Sequence, residues 1–196
     1  MTLKPRSIAA IAGPSDDDLI ARIAGKDQTA VEVLFGRYQV RIFRFIQRRV
    51  RSEAIAEELT NEVFLEVWRS AARFEGRSSL SSWMYSIAHN KAVSLLRKRR
   101  DEELDDDAAV AIADGADTPE VAAQKADKGA LLKTCMERLS DDHRTIIDLV
   151  YYHEMSIAEV AAVVSIPENT VKTRMFYARK KLSEFLKEAG VDRGWP

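Results

Sequence analysis

Apolar residues return along most of this chain at steps of three and four, the spacing that places them on one face of an α-helix. Over 29–50, Val31, Leu34, Phe35, Tyr38, Ile42, Phe45, Ile46 and Val50 share such a face at about 100° per residue. Ahead of it, Ser15 and three aspartates predict a helix start, with a hydroxyl cap and acids where the helix dipole favours them. Leu19, Ile20 and Ile23 follow, and Gly25 ends that short helix. A third helix is expected over 53–73, carrying Leu59, Val63 and Val67. Gly76 and the serines of 75–79 break the pattern, and a fourth helix over 80–100 sets Leu80, Trp83, Met84, Ile87 and Leu95 on one side.

The character changes at 101–118, which is acidic, rich in alanine, free of aromatics and closed by Thr118-Pro119. Such a stretch buries too little apolar surface to fold and reads as a flexible acidic linker. Beyond it the helical period resumes over 119–139, 140–153, 156–164 and 167–189. Gly and Pro together number 13 and most fall between the periodic runs or at their ends, which favours helices over sheets. The expected fold class is therefore all-α, with two small helical domains at 15–100 and 119–189 on either side of the linker at 101–118.

A formal net charge of -1 argues superficially against a polyanionic partner. Its distribution argues otherwise. Residues 36–52 hold six arginines and no acid, whereas 101–107 hold six acids and no base. A chain segregated in this way offers a basic face to nucleic acid and an acidic one to something else. Arg37, Arg41, Arg44, Arg48 and Arg51 recur away from the apolar face of their helix, and nothing in the pattern decides between a binding surface and a solvated one.

Candidate chemistry is sparse. Cys135 is the single cysteine, so no internal disulfide forms, and a lone helical cysteine is usually a small apolar filler. His89, His143 and His153 are scattered, with no spacing that resembles a metal site, and no cofactor is expected. No phosphate loop or nucleophile elbow is present, so the chain is not expected to be an enzyme. The apolar patch at 8–12 is too short for a secretory core, and no run approaches the roughly 18 apolar residues of a membrane span, which points to the cytoplasm.

The most informative segment lies near the C-terminus. Ser156-Ile157-Ala158-Glu159 has the form of a capping box. Ile157, Val160, Ala161 and Val164 form the apolar side of a short helix; Ser165-Ile166-Pro167 makes a turn, and a longer helix follows. Short helix, tight turn and longer helix is the helix-turn-helix pattern. On the second helix Val171, Met175, Ala178, Leu182, Phe185 and Leu186 form a packing stripe. Opposite it lie Asn169, Lys172, Thr173, Phe176, Tyr177 and Lys180, flanked by Arg174, Arg179 and Lys181. Lysine can donate to guanine N7 and O6, threonine and phenylalanine can touch base edges or thymine methyls, and the flanking cations suit phosphates. The plainer reading is an amphipathic helix with a solvated, mildly basic face.

With these residues in hand, the chain resembles an extracytoplasmic-function (ECF) sigma factor of the sigma-70 family across roughly 15–188. MSIAEVAAVVSIPENTVKTRMFYARKKLSEFL resembles region 4.2, the reader of the −35 element, and ERLSDDHRTIIDLVYYHE resembles region 4.1. AEELTNEVFLEVWRSAARFEG looks like region 2.2, and SSLSSWMYSIAHNKAVSLLRKRR looks like regions 2.3 and 2.4. Ser165 and Asn169 depart from the pattern by standing where many members have glycine.

The resemblance implies an alternative sigma factor that directs core RNA polymerase to promoters and is held inactive by an anti-sigma factor until a stress signal. Its implied partners are the β′ clamp coiled coil and β flap of bacterial polymerase, promoter DNA and that anti-sigma factor, with no membrane insertion. It assigns −35 recognition to Asn169, Lys172, Thr173, Arg174, Phe176, Tyr177, Arg179 and Lys180. Recognition and melting of the −10 element fall to Gly76, Arg77, Ser78, Ser79, Ser82, Ser86, His89, Asn90, Arg97 and Arg100. Docking on polymerase falls to Glu58, Asn61, Glu62 and Glu66, an acidic row beside Leu59 and Val63. Trp83 shares the stripe of Leu80 and Ile87, so core packing is favoured over base stacking for it. Two other readings fit the helix-turn-helix without the resemblance: a free-standing regulator that binds duplex as a dimer, and a helical adaptor that uses its acidic faces for protein contacts alone.

Overall fold

The computed structural model describes residues 13–105 and 125–191. Among them lie eight α-helices and no strand: α1 (Asp16–Ala24), α2 (Gln28–Val50), α3 (Glu53–Ser70), α4 (Leu80–Asp105), α5 (Lys125–Glu137), α6 (Asp141–Tyr151), α7 (Ile157–Val164) and α8 (Glu168–Glu188). The helices fall into two compact units, divided at Lys91 and Ala92. Most of the expected linker lies outside the described residues. α4 nevertheless carries through to Asp105, so the first acids of that segment continue a helix. No glycine or proline interrupts the passage, and Lys98 pairs with Glu102 one turn on at 3.6 Å.

In the first unit α2 packs along α3, and α1 lies across both. Leu19, Ile23, Leu34, Ile42, Phe45, Ile46, Val63 and Val67 are almost wholly buried. Ser15 caps α1 through a full capping box, its hydroxyl accepting from the Asp18 amide while the Asp18 carboxylate accepts from the Ser15 amide. Those bonds to Ser15 hold the Asp18 carboxyl below its ordinary pKa. The start of α1 is tied to α2, because Asp16 accepts from Arg37 and from the Tyr38 hydroxyl, and the Pro14 carbonyl accepts from Arg37 at 2.7 Å. One arginine of the basic row is thus engaged within the fold.

In the second unit α6 and α7 pack on α8, with α5 against its far half. The core there is Cys135, Leu139, Ile146, Ile147, Leu149, Val160, Val163, Val171, Met175 and Ala178. Arg138 spans α5 to α8, lying 3.9 Å from the Phe185 ring centre and 2.7 Å from the Glu188 carboxylate.

Candidate nucleic-acid interface

The helix-turn-helix is built from local rules. Ser156 caps α7 reciprocally with Glu159: the Glu159 amide donates to Ser156 Oγ at 3.3 Å, and the Ser156 amide donates to Glu159 Oε2 at 3.0 Å. α7 buries Val160 and Val163, while Ile157, Ala161 and Val164 are half-buried. The apolar side read from periodicity is therefore rotated by part of a turn, because this eight-residue helix meets both α6 and α8.

Ser165 ends α7 with φ 55° and ψ 43°, in the left-handed region. A Cβ there costs about 1–2 kcal/mol, of which glycine's greater unfolded-state entropy would give back about 0.5–1. Ser165→Gly is therefore expected to stabilise this unit by about 0.5–1 kcal/mol and to raise its thermal midpoint by about 2–6 °C. Calorimetry checks this. Asn169, the other departure, sits inside α8 and needs no such conformation.

α8 starts after Pro167, whose carbonyl accepts from the Thr170 and Val171 amides at 2.9 and 3.1 Å. Its buried stripe is Val171, Met175, Ala178, Leu182 and Leu186, with Phe185 half-buried. On the other side Asn169, Lys172, Thr173, Phe176, Tyr177, Arg179 and Lys180 are all exposed. Phe176 and Tyr177 are 58% and 51% exposed and meet edge to face at 5.4 Å. Large aromatics in water, on a helix with a complete buried stripe of its own, have no role in packing. The Thr173 hydroxyl donates to the Asn169 carbonyl at 2.9 Å. Arg174 differs from its neighbours: it is half-buried and paired with Asp142 of α6 at 2.8 Å.

The segment expected to meet the −10 element is heterogeneous. Gly76 takes φ 67°, which only glycine adopts without strain. Arg77 is exposed and pairs with Glu75 at 2.8 Å. Ser78 is half-buried. Ser79 opens α4, its Oγ accepting from the Ser82 amide at 3.2 Å and donating to Ser82 Oγ at 2.8 Å. Ser82 is 1% exposed, which removes it from the outward polar face. The cause is a rotation of the buried side, which consists of Leu80, Met84, Tyr85 and Ala88, with Tyr85 edge-on to Phe45 at 5.3 Å. Trp83 and Ile87 are only half-buried at the margin, and Trp83 rests on Phe74 at 5.0 Å. Ser86 and His89 are half-buried, the Ser86 hydroxyl donating to the Trp83 carbonyl at 2.7 Å. Asn90, Arg97 and Arg100 are exposed.

On α3, Glu58 and Asn61 are exposed and Glu66 is half-buried. Glu62 accepts from Lys91 Nζ of α4 at 2.7 Å. Leu59 and Val63, expected as apolar flanks of this acidic row, belong to the core. The apolar residue that does reach the surface is Leu65, 44% exposed and one turn from Asn61. Its position was available from the sequence, since it falls outside the buried stripe of α3. No cluster of potential metal ligands occurs among the described residues, and no described helix is long and apolar enough to cross a membrane.

Comparison with known proteins agrees with this architecture. A model of sigma-70 region 2 matches residues 34–102, and one of sigma-70 region 4 matches 130–182. The ECF RNA polymerase sigma factor SigK of Mycobacterium tuberculosis is 30% identical over 176 residues, covering 87% of this chain and 92% of that protein. The chain belongs to the ECF sigma factors of the sigma-70 family. The RNA polymerase sigma-H factor of Pseudomonas aeruginosa is 31% identical over 187 residues, 89% of this sigma factor and 97% of that one. Among solved structures, the sigma factor RpoE of Bartonella quintana, in complex with the anti-sigma factor NepR, is 28% identical with a TM-score of 0.64. That likeness covers 83% of this chain and 98% of the other. CnrH, solved in complex with the cytosolic domain of CnrY, shares the fold at 24% identity and a TM-score of 0.66, over 88% and 97% of the two chains. As an alternative sigma factor the protein is a transcription regulator.

Proposed function

We propose that this sigma factor grips a promoter at two places while core polymerase holds its two units at the working distance. The exposed side of α8 lies in the major groove of the −35 element. Lys172 donates to a guanine edge, Thr173 and Phe176 touch bases or thymine methyls, and Asn169, Tyr177, Arg179 and Lys180 complete the contact. The observation that carries this reading is the pair Phe176 and Tyr177, more than half exposed beside cations on a helix whose packing face is already satisfied.

The left-handed Gly76 turn, Arg77, Ser78 and Ser79 border the place where a −10 base is unstacked, a task suited to small polar groups around a cavity. Exposed Asn90, Arg97 and Arg100 follow the separated strand and its phosphates, with Ser86 and His89 beside them. Glu58, Asn61, Glu62 and Glu66, with Leu65 as their apolar element, dock on the β′ clamp coiled coil, and the unit containing α8 meets the β flap. An anti-sigma factor covers one or more of these faces until a signal releases it, by analogy with the relative solved with NepR.

Adding the full chain to purified core polymerase with a library of promoter-like fragments tests the reading. Sequence-selective initiation is expected. Duplex binding by the chain alone as a dimer, with no initiation on any template, would favour a free-standing regulator instead.

A further inference from the structure

The recognition helix carries one cation that is already occupied. At 100° per residue Arg174 lies on the flank of α8 that faces α6, with Lys181 two turns further along the same flank. Arg174 Nη1 is 2.8 Å from Asp142 Oδ2, and the two side chains are 34% and 60% exposed. His143, the next residue of α6, is half-buried beside this pair, and burial together with Lys181 and Arg174 keeps its pKa below the ordinary histidine value, against a smaller opposite pull from Asp142. The uncharged form of the imidazole is thereby favoured. The pair and Lys181 set the charge of the flank.

We propose that Asp142 attenuates promoter binding by occupying Arg174 in place of a DNA phosphate. The inference rests on the reading that α8 lies against promoter DNA. A carboxylate and a phosphate offer a guanidinium the same kind of acceptor, and a charge-assisted bond to one must be given up to make the other. Asp142 also repels a phosphate brought to the same place. Arg174 thus contributes less to affinity than an unoccupied arginine, and the sigma factor holds its −35 contact below the strength its charge count allows.

Two features give the idea specificity. Asp141 stands beside Asp142 in the first turn of α6, with an equivalent relation to the helix dipole, but its partner is Arg144 on its own helix. Lys172, on the opposite flank of α8, is 3.9 Å from Glu168, a looser pair within one exposed turn. Among the described cations of α8, Arg174 is the one held by a carboxylate of a different helix.

The test uses holoenzyme assembled from core polymerase and the full chain, on a labelled promoter fragment recovered from the transcription library. Affinity is followed by anisotropy between 50 and 200 mM NaCl. Releasing one cation to a phosphate steepens the slope of log K against log salt by about 0.9 and tightens binding about three- to eightfold near 100 mM. Asp142→Asn is expected to do this, Asp141→Asn to leave the slope unchanged, and Asp142→Asn in an Arg174→Met background to give no gain. An unchanged slope in Asp142→Asn overturns the proposal. So does an equal gain in the Arg174→Met background or from Asp141→Asn, since either would mean a general field effect. Thermal unfolding of each variant shows that the comparison is between folded proteins. Loss of selectivity in Lys172→Ala is measured on the same fragments, so the failure of the α8 reading is distinguished from the failure of the Asp142 inference.

Discussion

Replacing Lys172 and Phe176 of this sigma factor by alanine is expected to reduce promoter-specific initiation by about one to two orders of magnitude, with core binding unchanged. A good side-chain contact to a base edge carries about 1–3 kcal/mol of discrimination, and the N-terminal half of a recognition helix supplies most such contacts. Both side chains are exposed and lie off the buried stripe of Val171, Met175, Ala178, Leu182 and Leu186, so their truncation leaves the fold intact. The two losses should also differ in kind. Without Lys172 selectivity should relax at one base pair; without Phe176 an apolar contact is lost and the salt dependence should hardly change. Run-off transcription on single-base variants of a promoter separates them. Lys187, exposed in the last turn of α8, is the control whose replacement by alanine should change little.

The second large effect is on stability. Phe45 is 2% exposed in the C-terminal third of α2 and meets Tyr85 of α4 edge to face. Phe45→Ala deletes a buried ring and leaves a cavity between two helices, a change that typically costs about 3–5 kcal/mol. Single domains are stable by only about 5–15 kcal/mol, so the first unit should lose more than 10 °C in its thermal midpoint. Circular dichroism and calorimetry measure that shift. Because α4 rests on this ring contact, promoter opening should fall even at temperatures where the variant remains mostly helical.

How far the sequence could be read depended on what kind of signal each residue leaves. The hydroxyl cap at Ser15, the capping box at Ser156, the stop after Val164 and the stripe of α8 were all legible, because each is decided within one or two turns of chain. The fourth helix was harder. Its period was clear but its rotation was not, because the buried side includes Ala88 and Ser82, which contribute little to an apolar count, while Trp83 and Ile87 contribute much and lie at the edge. Leu65 was lost in a similar way, as one more apolar residue in a helix rich in them. The polar pairs were out of reach for another reason. Glu62 with Lys91, and Arg174 with Asp142, each join two helices, and no local pattern states which flanks will face each other.

The Glu62–Lys91 pair has a consequence for how quickly, as distinct from how tightly, partners meet. A carboxylate already neutralised within its own fold projects little field into solvent, so it does little to draw in a distant cation. Glu58, one turn earlier and exposed, keeps its reach. In the proposed docking, the row of acids on α3 would therefore divide its labour: Glu58 would speed the encounter, while Glu62 would wait with its geometry fixed and a second oxygen to offer once contact is made.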